Sequence, residues 1–272
     1  MNTAEVISRL ITGRDETRCA PAFRPLFLGD WMRAVFIHYE VDPEILQNEI
    51  PFELDLFDGR AFVSLVAFSM ERLRPSFGGR LTELLFRPIS NHNFLNVRTY
   101  VRHRHEAGIY FIAEFLSNPL CVPLGPPTFG LPYRFGCLAY RHDERRGSIE
   151  GEVAAARGQK RLIYNAPLSA KAGFRACEPG TLDAFLLERY TAFTQCGKRR
   201  RLFRIWHPPW AQQSIDVSVQ EGGLLALTGD WVDGARLMGG NFSPGVHDVR
   251  MSRPHHLNDC ERKHRVRVFF DV

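Results

Sequence analysis

The chain has 272 residues, of which 44% are hydrophobic and 24% are charged, a balance typical of a globular protein. Its net charge of +5 comes almost entirely from arginine, because only four of the 35 basic residues are lysines. The basic residues are scattered, which argues against a nucleic-acid-binding protein with a concentrated basic face.

The sequence carries no signal for export or membrane insertion. No apolar N-terminal run precedes a cleavage site of small residues, and the longest apolar stretches are shorter than the roughly 18 residues that suggest a membrane span. The six cysteines are widely spaced and form no CxxC pair. We therefore expect reduced thiols, a cytoplasmic location and no association with membranes.

The first half of the chain alternates strand signals with short helical segments. A short helix is predicted at residues 2–11, and Asp42 is predicted to cap a helix at 43–49 that has proline at its first position. Asp58-Gly59 is a dipeptide that favours a tight hairpin turn. The strands predicted in this half are 31–41, 52–57, 61–73, 93–104 and 108–116.

The second half is rich in strands and contains one longer helix. Between Pro119 and Pro132, five prolines and two glycines exclude a regular helix or a central strand. Thr181 is a suitable N-cap for a helix that runs to about residue 195, with apolar residues at helical spacing and Gly197 after its end. Gly239-Gly240 is typical of a turn. The further predicted strands are 134–142, 148–156, 200–207, 214–220, 224–232 and 265–272.

These elements predict a mainly β fold, or a β-rich α+β fold. The helices are too few and too irregularly placed for repeating βαβ units. We expect an antiparallel sheet with two or three packed helices.

The predicted strand 93–104 carries a polar face. Alternation places Asn96, Arg98 and Tyr100 on one side. There they either bind an anion inside the fold, since arginine can hold a carboxylate with two hydrogen bonds, or form an ordinary solvent-facing surface. Glu114, on the neighbouring predicted strand, could pair with Arg98 if the hairpin register brings both to the same face.

Several segments resemble the acetoacetate decarboxylase-like superfamily, and in particular its YqjF-like branch. The resemblance spans most of the chain, from about Phe23 to Val249. It implies one domain at 23–272, built on an antiparallel sheet closed into a cone-like barrel with helices packed outside, after an N-terminal helix or extension at 1–22. The most specific combination is NVRTYV at 96–101, LPY at 131–133, LERY at 187–190 and SPGV at 243–246.

The resemblance also implies which chemistry is missing. In true decarboxylases of this superfamily, a lysine beside a second cation forms a Schiff base with a β-keto acid, because the neighbouring charge lowers the pKa of the amine. At the matching positions this chain has Tyr133 and Arg134. We therefore expect no covalent imine. Tyr133 either donates a hydrogen bond or a proton to a ligand or fills the volume of the absent site as an aromatic plug.

The sequence favours a pocket for a small carboxylate- or carbonyl-bearing molecule, with Asn96, Arg98, Tyr100 and Arg134 as ligand-binding residues. Tyr133 and Glu114 are the candidate catalytic residues for a lyase- or isomerase-type reaction that forms no imine. The alternative is a non-catalytic module of the same fold that binds a metabolite or a protein. A titratable group with a shifted pKa inside the cavity would favour the enzyme.

The sequence indicates no metal ion and no cofactor. The ten histidines include no HExxH motif, and His103, His105 and the adjacent His255-His256 lack a well-placed third ligand. Neither a GxSxG elbow, a P-loop nor a GxGxxG fingerprint is present. Cys121 and Cys137 are expected to be buried, unreactive thiols. The expected partner is a small anionic or carbonyl-containing molecule, without nucleic acid or membrane, and the sequence leaves formation of a homo-oligomer open.

Overall fold

A computed structural model describes residues 23–156 and 158–257 of the chain. The predicted extension at 1–22 with its helix at 2–11, and the predicted strand at 265–272, lie outside these residues. The helices are α1 (Pro43–Glu49), α2 (Gly79–Phe86), α3 (Gly125–Thr128) and α4 (Leu182–Leu187). The strands are β1 (Pro25–Val41), β2 (Glu53–Leu54), β3 (Ala61–Pro75), β4 (His92–His103), β5 (Glu106–Leu116), β6 (Tyr133–Asp143), β7 (Ser148–Ala155), β8 (Arg161–Pro167), β9 (Thr191–Cys196), β10 (Arg199–Trp206), β11 (Gln213–Ile215), β12 (Ser218–Gly222), β13 (Arg236–Ser252) and β14 (His255–His256).

Seven of the strands form a closed ring, in the order β5, β9, β10, β13, β1, β3, β4 and back to β5. Neighbours in the ring are antiparallel, except that β5 and β9 run parallel. Closing the sheet on itself removes the unpaired edges that an open sheet would present. The predicted mainly β fold with a closed sheet is confirmed, and its antiparallel pattern is interrupted by parallel pairs that the sequence did not predict.

A smaller arm of sheet covers one side of the ring. β5 pairs in parallel with β6, and the arm continues antiparallel through β7, β8 and β12. Leu138 and Leu162 of the arm share a buried cluster with Val97 of the ring. The other face of the ring strands forms a second buried cluster, which includes Phe68 and Phe94. The ring strands are therefore buried on both faces, which explains their near-continuous apolar runs.

The local turn and cap signals in the first half were read correctly. The Asp42 carboxylate accepts hydrogen bonds from the backbone N–H groups of Glu44 and Ile45, at 2.8 and 3.2 Å, and so caps α1. Asp58 and Gly59 have φ angles of 51° and 75°, the left-handed values that a type I′ turn requires. Only Phe57 and Arg60 bridge this turn, because β2 pairs with β4 and not with β3.

The helix predicted from Thr181 to about residue 195 is only half as long. The Thr181 hydroxyl caps α4 as expected, accepting from the N–H of Ala184 at 3.3 Å, but the helix ends at Leu187. β9 follows, and Phe193 is fully buried where it pairs with Tyr110 of β5. Pairing with the ring therefore overrides the helical spacing of the apolar residues.

The last part of the chain contains the largest departures from the predictions. The predicted strand 224–232 forms two short 3-10 turns, Leu225–Leu227 and Asp230–Val232. The predicted turn at Gly239-Gly240 instead lies within β13, a strand of 17 residues. A Cβ at Gly240 would come within 2.3 Å of the Phe36 backbone oxygen, so this glycine allows β1 and β13 to approach each other closely.

Candidate functional site

A cavity of about 230 Å³ lies inside the ring. Six of the seven ring strands, β1, β3, β4, β5, β10 and β13, contribute side chains to its wall. Tyr133 of β6, Phe86 at the end of α2, α3 and the segments that flank α3 supply most of the rest of the wall. The site is therefore built mainly from the rigid strands that close the fold.

Most of the cavity wall is apolar. Among the described residues, no lysine or arginine lines it. Nine wall residues carry phenyl, phenol or indole rings, namely Phe27, Trp31, Phe68, Phe86, Phe94, Phe111, Phe129, Tyr133 and Phe203. Such a wall favours a flat, apolar ligand body.

Glu114 is the central polar residue of this cavity. It lies on β5 directly opposite Asn96 of β4, and on its other side it is aligned with Tyr133 of β6. The strand register thus brings three of the sequence-predicted site residues to one place. Only 3% of Glu114 is exposed, and burial raises the pKa of its carboxyl well above the usual range. Burial therefore favours the protonated form of this carboxyl.

Three buried polar atoms in the cavity wall lack hydrogen-bond partners within the described part of the chain. They are Trp31 Nε1, Asn96 Oδ1 and Glu114 Oε2. Burying a polar group without a partner is unfavourable, and native proteins keep few such groups. Their convergence on one cavity indicates a place where a ligand can supply the missing hydrogen bonds.

Tyr133 lies beside Glu114 and is held by its neighbours. A Cβ at Gly125 would come within 2.4 Å of the Tyr133 ring, so the absence of a side chain there lets α3 pack closely against this ring. Phe94 contacts it edge-on, with 6.0 Å between ring centroids. Burial, and secondly the nearby Glu114, raise the pKa of Tyr133 well above its usual value. Its hydroxyl is therefore neutral and able to donate a hydrogen bond.

His92 and Cys121 also line the cavity. Burial lowers the pKa of His92 to about 4 and raises the pKa of Cys121 to about 11, so both are uncharged near neutral pH. Cys121 is buried as expected, whereas Cys137 is exposed, contrary to expectation.

Trp31 and His92 are site residues that the sequence reasoning missed. Trp31 was counted only as a strand former. His92 stands four residues before Asn96 on the same strand, and the period of two that singled out Asn96 could have found it.

Arg98 and Tyr100 lie inside the ring but outside the cavity wall. Arg98 Nη2 and the Tyr100 hydroxyl both donate to the Leu186 carbonyl oxygen, at 2.9 and 2.8 Å. Both residues are buried, so the interpretation of this strand face as solvent-exposed is wrong. The expected pairing of Arg98 with Glu114 is not formed, because Arg98 binds the end of α4 and Glu114 Oε2 has no partner among the described residues.

A chain of buried hydrogen bonds continues beyond Tyr100. Ser64 Oγ lies 2.6 Å from the Tyr100 hydroxyl and 2.7 Å from His38 Nδ1, and His38 Nε2 lies 3.0 Å from Asn241 Oδ1. Burial lowers the pKa of His38 to about 4. This chain links β4, β3, β1 and β13, and His38 serves as a neutral structural residue within it.

Arg134 faces away from the cavity. It is the next residue after Tyr133 on β6, so alternation points its side chain to the opposite face. There it donates to the Leu227 carbonyl oxygen at 2.7 Å and lies over the Phe115 ring. The structure therefore corrects its expected place in the pocket.

A second groove, of about 830 Å³, lies at the arm and includes Arg33, His142 and Glu144. Its buried histidine is fully bonded: His142 Nδ1 lies 2.7 Å from the Arg33 carbonyl oxygen, and Nε2 lies 2.8 Å from the Tyr164 hydroxyl. This groove is therefore less well supported as a ligand-binding site than the ring cavity.

Within residues 23–156 and 158–257, no group of three or more histidine, cysteine, aspartate or glutamate side chains is placed to hold a metal ion. In the same ranges, no helix is long and apolar enough to cross a membrane.

The fold of this chain matches that of acetoacetate decarboxylase-like proteins. The acetoacetate decarboxylase of Legionella pneumophila matches with a TM-score of 0.59 over 94% of this chain and 97% of that chain. An acetoacetate decarboxylase-like enzyme from Sphingomonas wittichii RW1 matches with a TM-score of 0.61 over 89% and 98%. The enduracididine biosynthesis enzyme MppR, in complex with pyruvate, matches with a TM-score of 0.59 over 89% and 95%. Sequence identities of 14%, 14% and 12% limit these matches to the fold.

Sequence similarity then defines the family. The uncharacterized protein YqjF of Bacillus subtilis (strain 168) is 31% identical over 195 residues, which cover 70% of this chain and 76% of that protein. The DUF2071 family model, described as an uncharacterized conserved protein, matches residues 29–234. The chain belongs to the DUF2071 family, and its predicted kinship with YqjF is confirmed. The solved structures show that it shares the acetoacetate decarboxylase-like fold.

Proposed function

We propose that the protein binds a small carbonyl- or carboxylate-bearing molecule in the ring cavity and exchanges a proton with it through Glu114. The observation that carries this proposal is the unpartnered Glu114 Oε2, buried in the cavity wall beside two further unpartnered polar atoms, Asn96 Oδ1 and Trp31 Nε1. A buried carboxyl with a raised pKa is a common device for acid–base catalysis near neutral pH.

Each polar group has a separate role in this proposal. The protonated Glu114 gives its proton to a ligand oxygen, and the carboxylate so formed accepts a proton from the carbon next to that carbonyl, which leaves the enol. The reverse steps return the ketone and the protonated Glu114. The neutral Tyr133 hydroxyl donates a second hydrogen bond that orients the same oxygen. Asn96 Oδ1 accepts from a donor on the ligand, and Trp31 Nε1 supplies a further donor. The chemistry is of the lyase or isomerase type, and no amine nucleophile takes part.

The wall also favours a second candidate, a non-catalytic carrier with the same ligand. Apart from the groups just described, the cavity is lined by apolar side chains, and such a wall suits retention as well as reaction. The two candidates differ in one respect: only the enzyme needs Glu114 to transfer a proton.

Proton NMR in deuterium oxide can test this requirement. The panel contains methyl ketones and keto acids small enough for the cavity, and the signal is the loss of hydrogens on the carbon next to the carbonyl. We expect the wild type to accelerate exchange in at least one compound that binds. Glu114→Gln should abolish the acceleration and retain binding. The matched control is Glu144→Gln, since Glu144 lies in the arm groove and outside the ring cavity.

Binding without exchange in any compound would support the carrier. Acceleration that survives in Glu114→Gln would contradict the assigned role of Glu114. A panel in which no compound binds would overturn both candidates.

A further inference from the structure

The charge of the cavity wall distinguishes between the two ligand classes that the proposed function allows. Burial shifts the pKa of each ionisable group in the wall toward the uncharged form; these groups are His92, Glu114, Cys121 and Tyr133. The wall contains no lysine or arginine among the described residues. A ligand in this cavity therefore meets no positive charge.

Both sequence-predicted cations lie outside the cavity wall. Arg98 Nη2 donates to the Leu186 carbonyl oxygen and its guanidinium lies over the Phe36 ring, 5.7 Å from the centroid, while its Nε has no hydrogen-bond partner among the described residues. Arg134 is on the opposite face of its strand and donates to the Leu227 carbonyl oxygen. A carboxylate that entered the cavity would lose its hydration without gaining an ion pair, which is strongly unfavourable.

The unpartnered atoms indicate which hydrogen-bonding groups the polar part of the ligand carries. Trp31 Nε1 requires an acceptor, and Asn96 Oδ1 requires a donor. Glu114, opposite Asn96 on the neighbouring strand, can donate or accept once a ligand is bound. A ligand that satisfies all three carries both an acceptor, such as a carbonyl oxygen, and an N–H or O–H donor.

The volume of the cavity and its aromatic wall indicate the size and shape of the rest of the ligand. Benzene occupies an engineered cavity of about 150 Å³, so a cavity of about 230 Å³ holds roughly nine non-hydrogen atoms at the same density. The aromatic side chains of the wall favour a flat ring as the body of the ligand.

We infer that the ring cavity selects an uncharged aromatic compound, of about nine non-hydrogen atoms, whose polar end combines a carbonyl acceptor with a donor, and that it rejects the carboxylate of the same shape. This inference rests on the proposed function, because it names the substrate class of the same site.

Benzamide and benzoate are a matched pair of probes. They have the same shape and the same number of non-hydrogen atoms, but benzamide is neutral with a donor and an acceptor, and benzoate is an anion. Calorimetric titration of the full chain near neutral pH should show benzamide binding at least about tenfold more tightly than benzoate. Asn96→Leu should weaken the binding of benzamide, because the N–H group of benzamide loses its acceptor. Glu144→Gln should leave the affinity for benzamide unchanged.

Indole N–H resonances show where benzamide binds. The Trp31 signal, assigned by its loss in Trp31→Phe, should shift on saturation. The Trp231 signal should stay in place, since Trp231 Nε1 already donates to Thr228 Oγ1 at 3.0 Å. Both results together support the inference.

Benzoate that equals or exceeds benzamide in affinity, with the same Trp31 shift, would overturn the inference and leave the proposed ring cavity intact. Absence of benzamide binding would also overturn the inference; the proposed function then stands only if another compound of the keto-acid and ketone panel binds and shifts Trp31. Benzamide binding that does not shift Trp31 would overturn the inference, because the compound then binds outside the cavity.

Discussion

At the scale of single residues, the protonation of Glu114 decides which chemistry the cavity can support. In water a glutamate carboxyl is ionised near neutral pH, but the apolar wall around Glu114 offers no solvation to the charge, so burial raises the pKa. The folded protein therefore holds a proton that the unfolded chain releases above its ordinary pKa of 4.5. This difference couples the stability of the fold to pH.

Glu114→Gln should remove that coupling. A raised carboxyl pKa gives stability that is fully present below 4.5 and is lost as pH rises toward the folded-state pKa. Relative to the wild type, the free energy of unfolding of Glu114→Gln should therefore increase with pH, by up to about 1.4 kcal/mol per pH unit. Urea unfolding of both proteins at several pH values measures this.

The exposed Glu150→Gln provides a control for that measurement, and it should follow the wild-type curve. If Glu114→Gln and the wild type keep a constant difference in unfolding free energy from pH 5 to 8, Glu114 is ionised in the folded protein and cannot act as the acid.

Tyr133→Phe separates the two interpretations of Tyr133. The substitution removes only the hydroxyl, so a residue that merely fills volume predicts little change in binding or exchange. A hydroxyl that orients the ligand oxygen predicts retained binding and hydrogen exchange slowed by roughly 100-fold. The NMR exchange rate and the dissociation constant, measured on the same ligand, distinguish the outcomes. A hydrogen-exchange rate in Tyr133→Phe equal to that of the wild type would show that Tyr133 only fills volume.

At the scale of secondary-structure elements, two glycines act for different physical reasons. Gly59 adopts a φ of 75° with open space around it, so Gly59→Ala adds only backbone strain, about 1 kcal/mol. Gly240→Ala forces a Cβ to within 2.3 Å of the Phe36 backbone oxygen, so β1 and β13 must separate. We expect Gly240→Ala to be the more destabilising by about 1–3 kcal/mol in thermal or urea unfolding. Equal effects would mean that the contact between β1 and β13 is not tight.

The elements also show what the sequence could reveal. Local signals sufficed where local chemistry decides, as at the Asp42 cap and the Asp58-Gly59 turn. They failed where pairing between distant strands determines the secondary structure. The first part of β13 was predicted as a turn because Gly239-Gly240 is typical of turns, whereas in the fold Gly240 permits the close approach of β13 to β1. In the same way, pairing of Phe193 with β5 converted half of a predicted helix into β9.

The same distinction between local and long-range information applies to the candidate site. Alternation on β4 grouped Asn96, Arg98 and Tyr100 on one face but left open whether that face is buried, which the structure shows it to be. The resemblance pointed to Tyr133. The cavity wall itself joins seven strands from different parts of the chain, so neither its apolar character nor the exclusion of Arg98 could be deduced from the sequence. The role of Trp31 required the same three-dimensional information.

At the scale of the whole molecule, the distribution of lysines predicts that no imine forms. Lys160, Lys171 and Lys198, the lysines within the described residues, are all exposed, and an exposed lysine lacks the desolvation or fixed nearby cation that frees its amine near neutral pH. Borohydride added with acetoacetate or pyruvate should leave the intact mass of the protein unchanged. An acetoacetate decarboxylase treated in parallel provides the positive control, and a reduced adduct on any lysine of this chain would contradict the prediction.

The central claim is that the unpartnered atoms inside the ring receive a small molecule. A crystal structure determined in the presence of benzamide tests it most directly. We predict benzamide in the ring cavity, its carbonyl oxygen within hydrogen-bond distance of Trp31 Nε1 or the Glu114 carboxyl, and its N–H group on Asn96 Oδ1. Benzamide bound only at the surface, with those three atoms bonded to neighbouring protein groups instead, would contradict the account.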